Sequence, residues 1–154
     1  MYNTLLSLSR NIFFYKDIKL QDSFESRIYL MFIHFSLMLI IFKKKKKKFP
    51  QVSYDSLFHS IENNIRELGY GDVSVNKKMK EYNKILYDIL LKIEVTTSNK
   101  FQINKELINK YFQDLKGLES EKYHNFEDYF LNFYNFCFEL SPDNMIREAI
   151  NFKN

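Results

Sequence analysis

Tryptophan is absent from this chain, and the small and rigid residues are nearly so: one cysteine, two prolines, three glycines and a single alanine, Ala149, in 154 residues. Each scarcity removes a class of protein. One cysteine, Cys137, excludes an intrachain disulfide framework and paired-Cys zinc patterns, and fits a reducing compartment. Three glycines leave no phosphate-cradling loop and too few tight turns for a hairpin-rich β fold. The spacing Gly69-x-Gly71 is too short for a dinucleotide fingerprint and follows helical rather than strand periodicity. The histidines His34, His59 and His124 stand at no mutual ligand spacing. No nucleophile elbow is present, and no two carboxylates are brought together by the sequence in a way that marks a catalytic pair. The chain reads as a non-enzyme with no cofactor.

Lys, Asn, Ile, Phe and Tyr are abundant, the composition expected of an A+T-rich coding sequence, so the many aromatic rings are expected in the core rather than on a base-stacking surface. The net charge of +4 also needs dissection. Six lysines stand in one run, Lys43, Lys44, Lys45, Lys46, Lys47 and Lys48; the other 17 basic residues face 19 acidic ones, a balance of −2. The chain is near neutral and carries one cationic tract. Its N-terminus lacks a basic n-region and a small-residue cleavage site, so the protein is expected to stay in the cytoplasm.

Helical periodicity dominates, and the length suits one domain with a real core. The pattern predicts helices over Thr4–Ser9, from Asp22 or Ser23 into the lysines, over Ser53–Leu68, from about Ser74 onward, over Asn104–Leu115 ending before Gly117, and over Asn125–Leu140. A last one starts at Ser141-Pro142-Asp143, where serine suits the cap, proline the first turn and aspartate the positive dipole end. Val75, Met79, Tyr82, Leu86, Ile89 and Ile93 form a packing stripe. Val95–Asn99 reads as a loop. The expected fold is an all-α bundle of six or seven helices in one domain.

The run from Ile28 to Phe42 is apolar apart from His34 and Ser36. At 1.5 Å per residue it is roughly 22 Å long, short of a hydrocarbon core of about 30 Å. Three settings fit it: a buried central helix, an interfacial or groove-lining helix, and a span helped by snorkelling lysines. His34 is expected to be a hydrogen-bonded core residue and Cys137 a buried, inert thiol. The lysine tract suits anionic lipid, at about 1 kcal/mol per residue near the surface, or ribosomal RNA phosphates, or a solvated run produced by an adenine tract.

The densest information lies in Asn64-Ile-Arg-Glu-Leu-Gly-Tyr-Gly-Asp-Val-Ser-Val-Asn-Lys-Lys-Met-Lys80. Two of the three glycines punctuate two helical segments there, a position that suits a left-handed helix end. Asp72 can cap the following helix or pair with Arg66, and Arg66, Glu67 and Asp72 are candidates for partner recognition. Lys77, Lys78 and Lys80, expected at the start of the next helix, would sit unfavourably beside its positive dipole end, which points to an acidic or phosphate-bearing partner.

Arg66, Glu67, Gly69, Gly71, Asp72, Lys77, Lys78, Met79 and Lys80, with the upstream Phe14-Tyr15, Asp22-Ser-Phe24, Arg27 and the apolar run carrying His34, resemble the ubiquinol–cytochrome c chaperone family, whose members assist assembly of the respiratory cytochrome bc complex. The resemblance covers roughly residues 10–95 and is that of a short, bacterial-type member; the six lysines replace a milder basic segment. It implies a non-catalytic chaperone that holds cytochrome b or its nascent chain. It also implies work near the ribosome, at the inner face of the energy-transducing membrane (the matrix side in a mitochondrion), where the lysine tract would meet an anionic membrane surface. The rivals are an RNA- or ribosome-binding protein in which both lysine groups form one basic face, and a peripheral membrane protein of unrelated role.

Overall fold

The computed structural model describes residues 1–95, 101–115 and 121–154. Over these the chain forms an α-helical bundle: α1 (Tyr2–Ser9), α2 (Ile12–Lys16), α3 (Phe24–Lys44), α4 (Gln51–Glu67), α5 (Asp72–Lys92), α6 (Lys105–Tyr111), α7 (Glu121–Glu139) and α8 (Pro142–Glu148). All but the five-residue α2 run for seven residues or more. Two short 3₁₀ turns, at Gln113–Leu115 and Ala149–Asn151, follow α6 and α8. The all-α expectation holds. A two-stranded antiparallel ribbon, β1 (Ile93–Val95) with β2 (Phe101–Ile103), was not legible in the periodicity.

α3 organises the bundle. It begins where Ser23 turns extended and its hydroxyl accepts the Ser26 amide at 3.1 Å, leaving Glu25 in the first turn against the positive dipole end. From Leu30 to Met38 every residue is buried, because α1, α5 and α7 pack around it. A helix apolar on every side needs such a jacket. Of the three settings the sequence left open, the structure selects the buried central helix, although length and hydropathy alone would let Phe24–Lys44 cross a membrane.

At its far end α3 runs into the lysine tract, and two of these lysines are part of the fold. Lys45 donates to the carbonyls of Phe138 at 2.5 Å and Leu140 at 2.6 Å, at and just past the C-terminal end of α7, where carbonyls run out of helical partners. Lys44 lies over the Tyr134 ring. Lys43, Lys46, Lys47 and Lys48 are exposed.

Several boundaries differ from expectation, each for a local reason. α5 starts at Asp72 rather than Ser74, with Gly71 as its cap. It also stops before Ile93, whose backbone is extended (φ −96°, ψ 115°) and opens β1, opposite Ile103. Ile93 is still buried, but it packs from a strand, the conformation its branched Cβ favours. The predicted Asn104–Leu115 helix breaks at Phe112 (φ −126°, ψ 67°). Asn104 caps its start by accepting the Glu106 amide at 2.8 Å. α7 begins at Glu121, one turn before the predicted Asn125. Ser141 makes no side-chain cap; its carbonyl accepts the amides of Asn144 and Met145, while Pro142 and Asp143 occupy the first turn as expected. Val95 belongs to β1, and the rest of the expected Val95–Asn99 loop, with Gly117, lies outside the described residues.

Candidate functional site

The corner between α4 and α5 is built by one conformational requirement. α4 ends at Leu68, and Gly69 then adopts φ +91° while its amide bonds the Arg66 carbonyl at 2.9 Å. An L side chain there meets its own carbonyl oxygen at a cost of about 1–2 kcal/mol. Gly71 is different: its backbone is extended (φ −74°, ψ 165°) and a Cβ would meet nothing within 4 Å. Gly69→Ala is therefore expected to lower stability by about 1–2 kcal/mol, whereas Gly71→Ala leaves it unchanged or slightly raised. Urea midpoints of the two variants check this; equal losses would contradict the geometry.

The corner's charges fall into a small network. Arg66 bonds Glu62 at 2.8 Å, one turn back on α4, and reaches across the turn to Asp72. Its guanidinium is held above its ordinary pKa first by Glu62 and then by Asp72. Of the two roles open to Asp72, the structure shows the pairing with Arg66; no side chain caps α5. The group is exposed, so it shapes the turn more than it stabilises the fold. Glu67, next along α4, is exposed as well.

The expectation for the basic residues is corrected. Because α5 begins at Asp72, Lys77, Lys78 and Lys80 lie beyond its first turn, where the dipole's effect has faded, and an acidic residue occupies the positive end instead. Their placement carries no dipole penalty. They also part company: Lys78 folds back over the Tyr70 ring at 4.9 Å, while Lys77 and Lys80 are exposed.

Beside the corner the fold joins two distant stretches of sequence. A cleft of about 200 Å³ is lined by Tyr2 and Leu6 of α1 and Arg10 just after it, by Phe24, Arg27, Ile28 and Met31 of α3, and by Asn64, Glu67 and Leu68 at the end of α4. A second, of about 190 Å³, continues past Phe24 and Leu68 to Glu25, Ile65, Tyr70 and Lys78. The floor is apolar and the rim is charged, which suits an apolar side chain flanked by polar groups. Arg27 is steadied by Asp22, which accepts from Nη2 at 2.6 Å and from Nε at 2.9 Å. Leu68, Tyr70 and Val73 stand 58, 42 and 85% exposed around the turn, a large apolar group for a surface corner. Tyr2, Leu6 and Arg10 escaped sequence reasoning, because nothing local marks a residue that reaches a partner 62 positions away in sequence, as Tyr2 does when its hydroxyl accepts from Asn64 Nδ2 at 2.5 Å.

The lysine tract is remote from this corner. Lys78 lines the cleft beside Glu25 at the start of α3, and the tract lies at that helix's other end, about 30 Å along its axis. The two basic groups do not make one face.

The residues with chemical potential elsewhere are absorbed by the core. His34 is fully buried; its Nδ1–H donates to the Leu30 carbonyl at 2.7 Å, so Nε2 accepts from the Tyr129 hydroxyl at 3.1 Å. Burial lowers its pKa to about 4, against a smaller upward pull from the Leu30 carbonyl. Both ring nitrogens are used, which leaves none for a ligand. Cys137 is buried, and desolvation pushes its thiol up to about 12, as expected of an inert packing residue. Asp88 ties α5 to α6: burial pushes its pKa up, but bonds from Lys110 (2.8 Å), Tyr111 and Lys92 outweigh that and hold it well below the usual carboxylate range. Among the described residues no His, Cys, Asp and Glu cluster could hold a metal ion.

With this geometry in view, the sequence model of the family described as "Ubiquinol-cytochrome C chaperone" matches residues 16–114, from the end of α2 to the turn after α6, and so includes the whole corner and most of its clefts. No curated protein and no solved structure matches the chain.

Proposed function

Because the chain belongs to the ubiquinol-cytochrome C chaperone family, we propose that it is a non-catalytic assembly chaperone that holds newly made cytochrome b during biogenesis of the ubiquinol–cytochrome c reductase complex. The observation that carries this reading is the convergence at one corner of the two segments bearing the family's pattern: Phe24 and Arg27 from the start of α3, and Glu67, Leu68, Tyr70 and Lys78 from the end of α4, the turn after it and α5. An apolar client needs apolar area and a rim that fixes its register. Leu68, Tyr70 and Val73 supply the area, and Arg10, Arg27, Arg66, Glu67 and Asp72 supply the rim. Docking and ordering costs keep such an interface reversible, as release of a client requires.

In this reading the protein works peripherally at the inner face of the energy-transducing membrane. The exposed Lys43, Lys46, Lys47 and Lys48 orient it toward phosphate, on anionic headgroups or on the ribosome that makes the client.

A photo-crosslinking amino acid placed at Val73 tests the corner directly, with the same group at Val52 as control. Both positions are exposed, at 85 and 81%; Val52 stands at the start of α4, and Val73 at the start of α5, past the other end of α4. Capture of cytochrome b from Val73 and not from Val52 is expected. Equal capture from both, or none from Val73, would remove the corner from the account.

A further inference from the structure

The face of α5 that points away from the core carries a second pattern. Val73, Lys77, Lys80, Lys84, Tyr87 and Leu91 recur at alternating spacings of four and three, and all six are exposed. On the opposite side Val75, Tyr82, Leu86 and Ile89 are buried. Alternation of four and three averages 3.5 residues, the repeat that keeps a seam in line with a neighbouring helix. The seam is about 27 Å long.

Its three central positions are exposed cations. Among the described residues no carboxylate pairs with Lys77, Lys80 or Lys84. Of the acidic residues near them, Asp88 is engaged by Lys92, Lys110 and Tyr111, and Glu81 bonds none of the three. The apolar members stand at the two ends, with Tyr87 57% and Leu91 82% exposed.

We propose that this seam docks an acidic helix: a partner-protein segment with Asp or Glu at its central facing positions and apolar residues at its ends. Charge complementarity selects the occupant. Three ammonium groups one turn apart match carboxylates at the same intervals on a facing helix, and the flanking apolar contacts keep water from the pairs. A bilayer fits less well, because the apolar groups are split between the ends of a one-residue-wide stripe and Glu81 stands beside the lysines. Lys77 and Lys80 thus belong to this seam rather than to the corner with Arg66. The inference goes beyond the client reading, and its test contains no cytochrome, so either can fail alone.

The test titrates the full chain with a synthetic helix of about 20 residues, long enough to follow the seam, carrying Glu at three central facing positions and Leu at the flanking ones. A matched helix with Lys in place of Glu and vesicles of phosphatidylcholine and phosphatidylserine are run in parallel. The acidic helix is expected to bind, the basic one not. Lys77→Glu/Lys80→Glu/Lys84→Glu is expected to lose at least about tenfold in affinity for the acidic helix and to gain binding to the basic one. Tyr87→Ala/Leu91→Ala, which leaves every charge in place, is expected to weaken the same complex. The proposal is overturned by absence of binding, by equal affinity in the triple variant, or by vesicle binding lost in the triple variant while the acidic helix is ignored.

Discussion

Replacing Phe14 by alanine is expected to remove about 3–5 kcal/mol of stability, the range for deleting a large ring from a closed core. Phe14 is fully buried, and its ring meets Tyr129 at 4.6 Å, Phe130 at 5.7 Å, Phe126 at 6.0 Å and His34 at 6.1 Å. It projects from α2, a helix of one turn that could not hold its shape alone. What fixes α2 is the docking of Phe14 on α7 and the Asn11 side chain, which accepts the Phe13 amide at 3.1 Å. The loss should therefore appear in the urea midpoint of the whole domain. Phe14 lies two residues before the segment that the family model matches, and it lines neither cleft at the corner. An unchanged midpoint with weakened client capture would instead make it a contact residue and contradict the packing described here.

His34 gives the second large effect, and its sign follows from burial. The folded protein keeps the ring neutral, with a pKa lowered from 6.5 to about 4. The unfolded chain binds the proton more tightly, so the stability contributed by the neutral ring is complete above the unfolded value. It is lost as pH falls from about 6.5 through 4, to a total of about 3 kcal/mol. Urea unfolding at pH 7.5 and 4.5 should reveal most of that loss. His34→Gln can still donate to the Leu30 carbonyl and accept from the Tyr129 hydroxyl, but it does not titrate. It should flatten the acid limb, and an unaltered limb would place the pH sensitivity elsewhere.

The parts of the fold that follow from a single helix were readable in advance. An apolar run closed by Ser23 on one side and lysines on the other has few stable placements in water, and α3 as a central helix is the one adopted. The α5 stripe from Val75 to Ile89 is buried as its spacing demands, apart from the half-buried Met79. Gly69 at positive φ follows from the missing Cβ. Features that depend on two segments meeting were not readable. α2 is too short to display a period. Ile93 continues a helical stripe but is claimed by pairing with Ile103, ten residues on. The two-residue shift in the start of α5 changed the meaning of three lysines, because the electrostatic argument depends on position within a single turn.

The same division applies to the corner. Arg66, Glu67 and Asp72 were identifiable as a charged group around a turn. Their apolar complement was not, since Phe24, Ile28 and Met31 look like any core face until α4 ends beside them and leaves the cleft open. Lys45 shows the converse. In the sequence it is one of six identical residues, and only the arrival of the α7 C-terminus beside it gives it a structural role.

The most direct test of the central claim is the reduced-minus-oxidised haem spectrum of membranes from cells lacking this gene, with an unrelated oxidase quantified alongside. A chaperone of the cytochrome bc complex predicts selective loss of that complex's b and c signals, an unchanged oxidase, and recovery when the wild-type gene returns. Unchanged b and c signals with normal bc activity would contradict it.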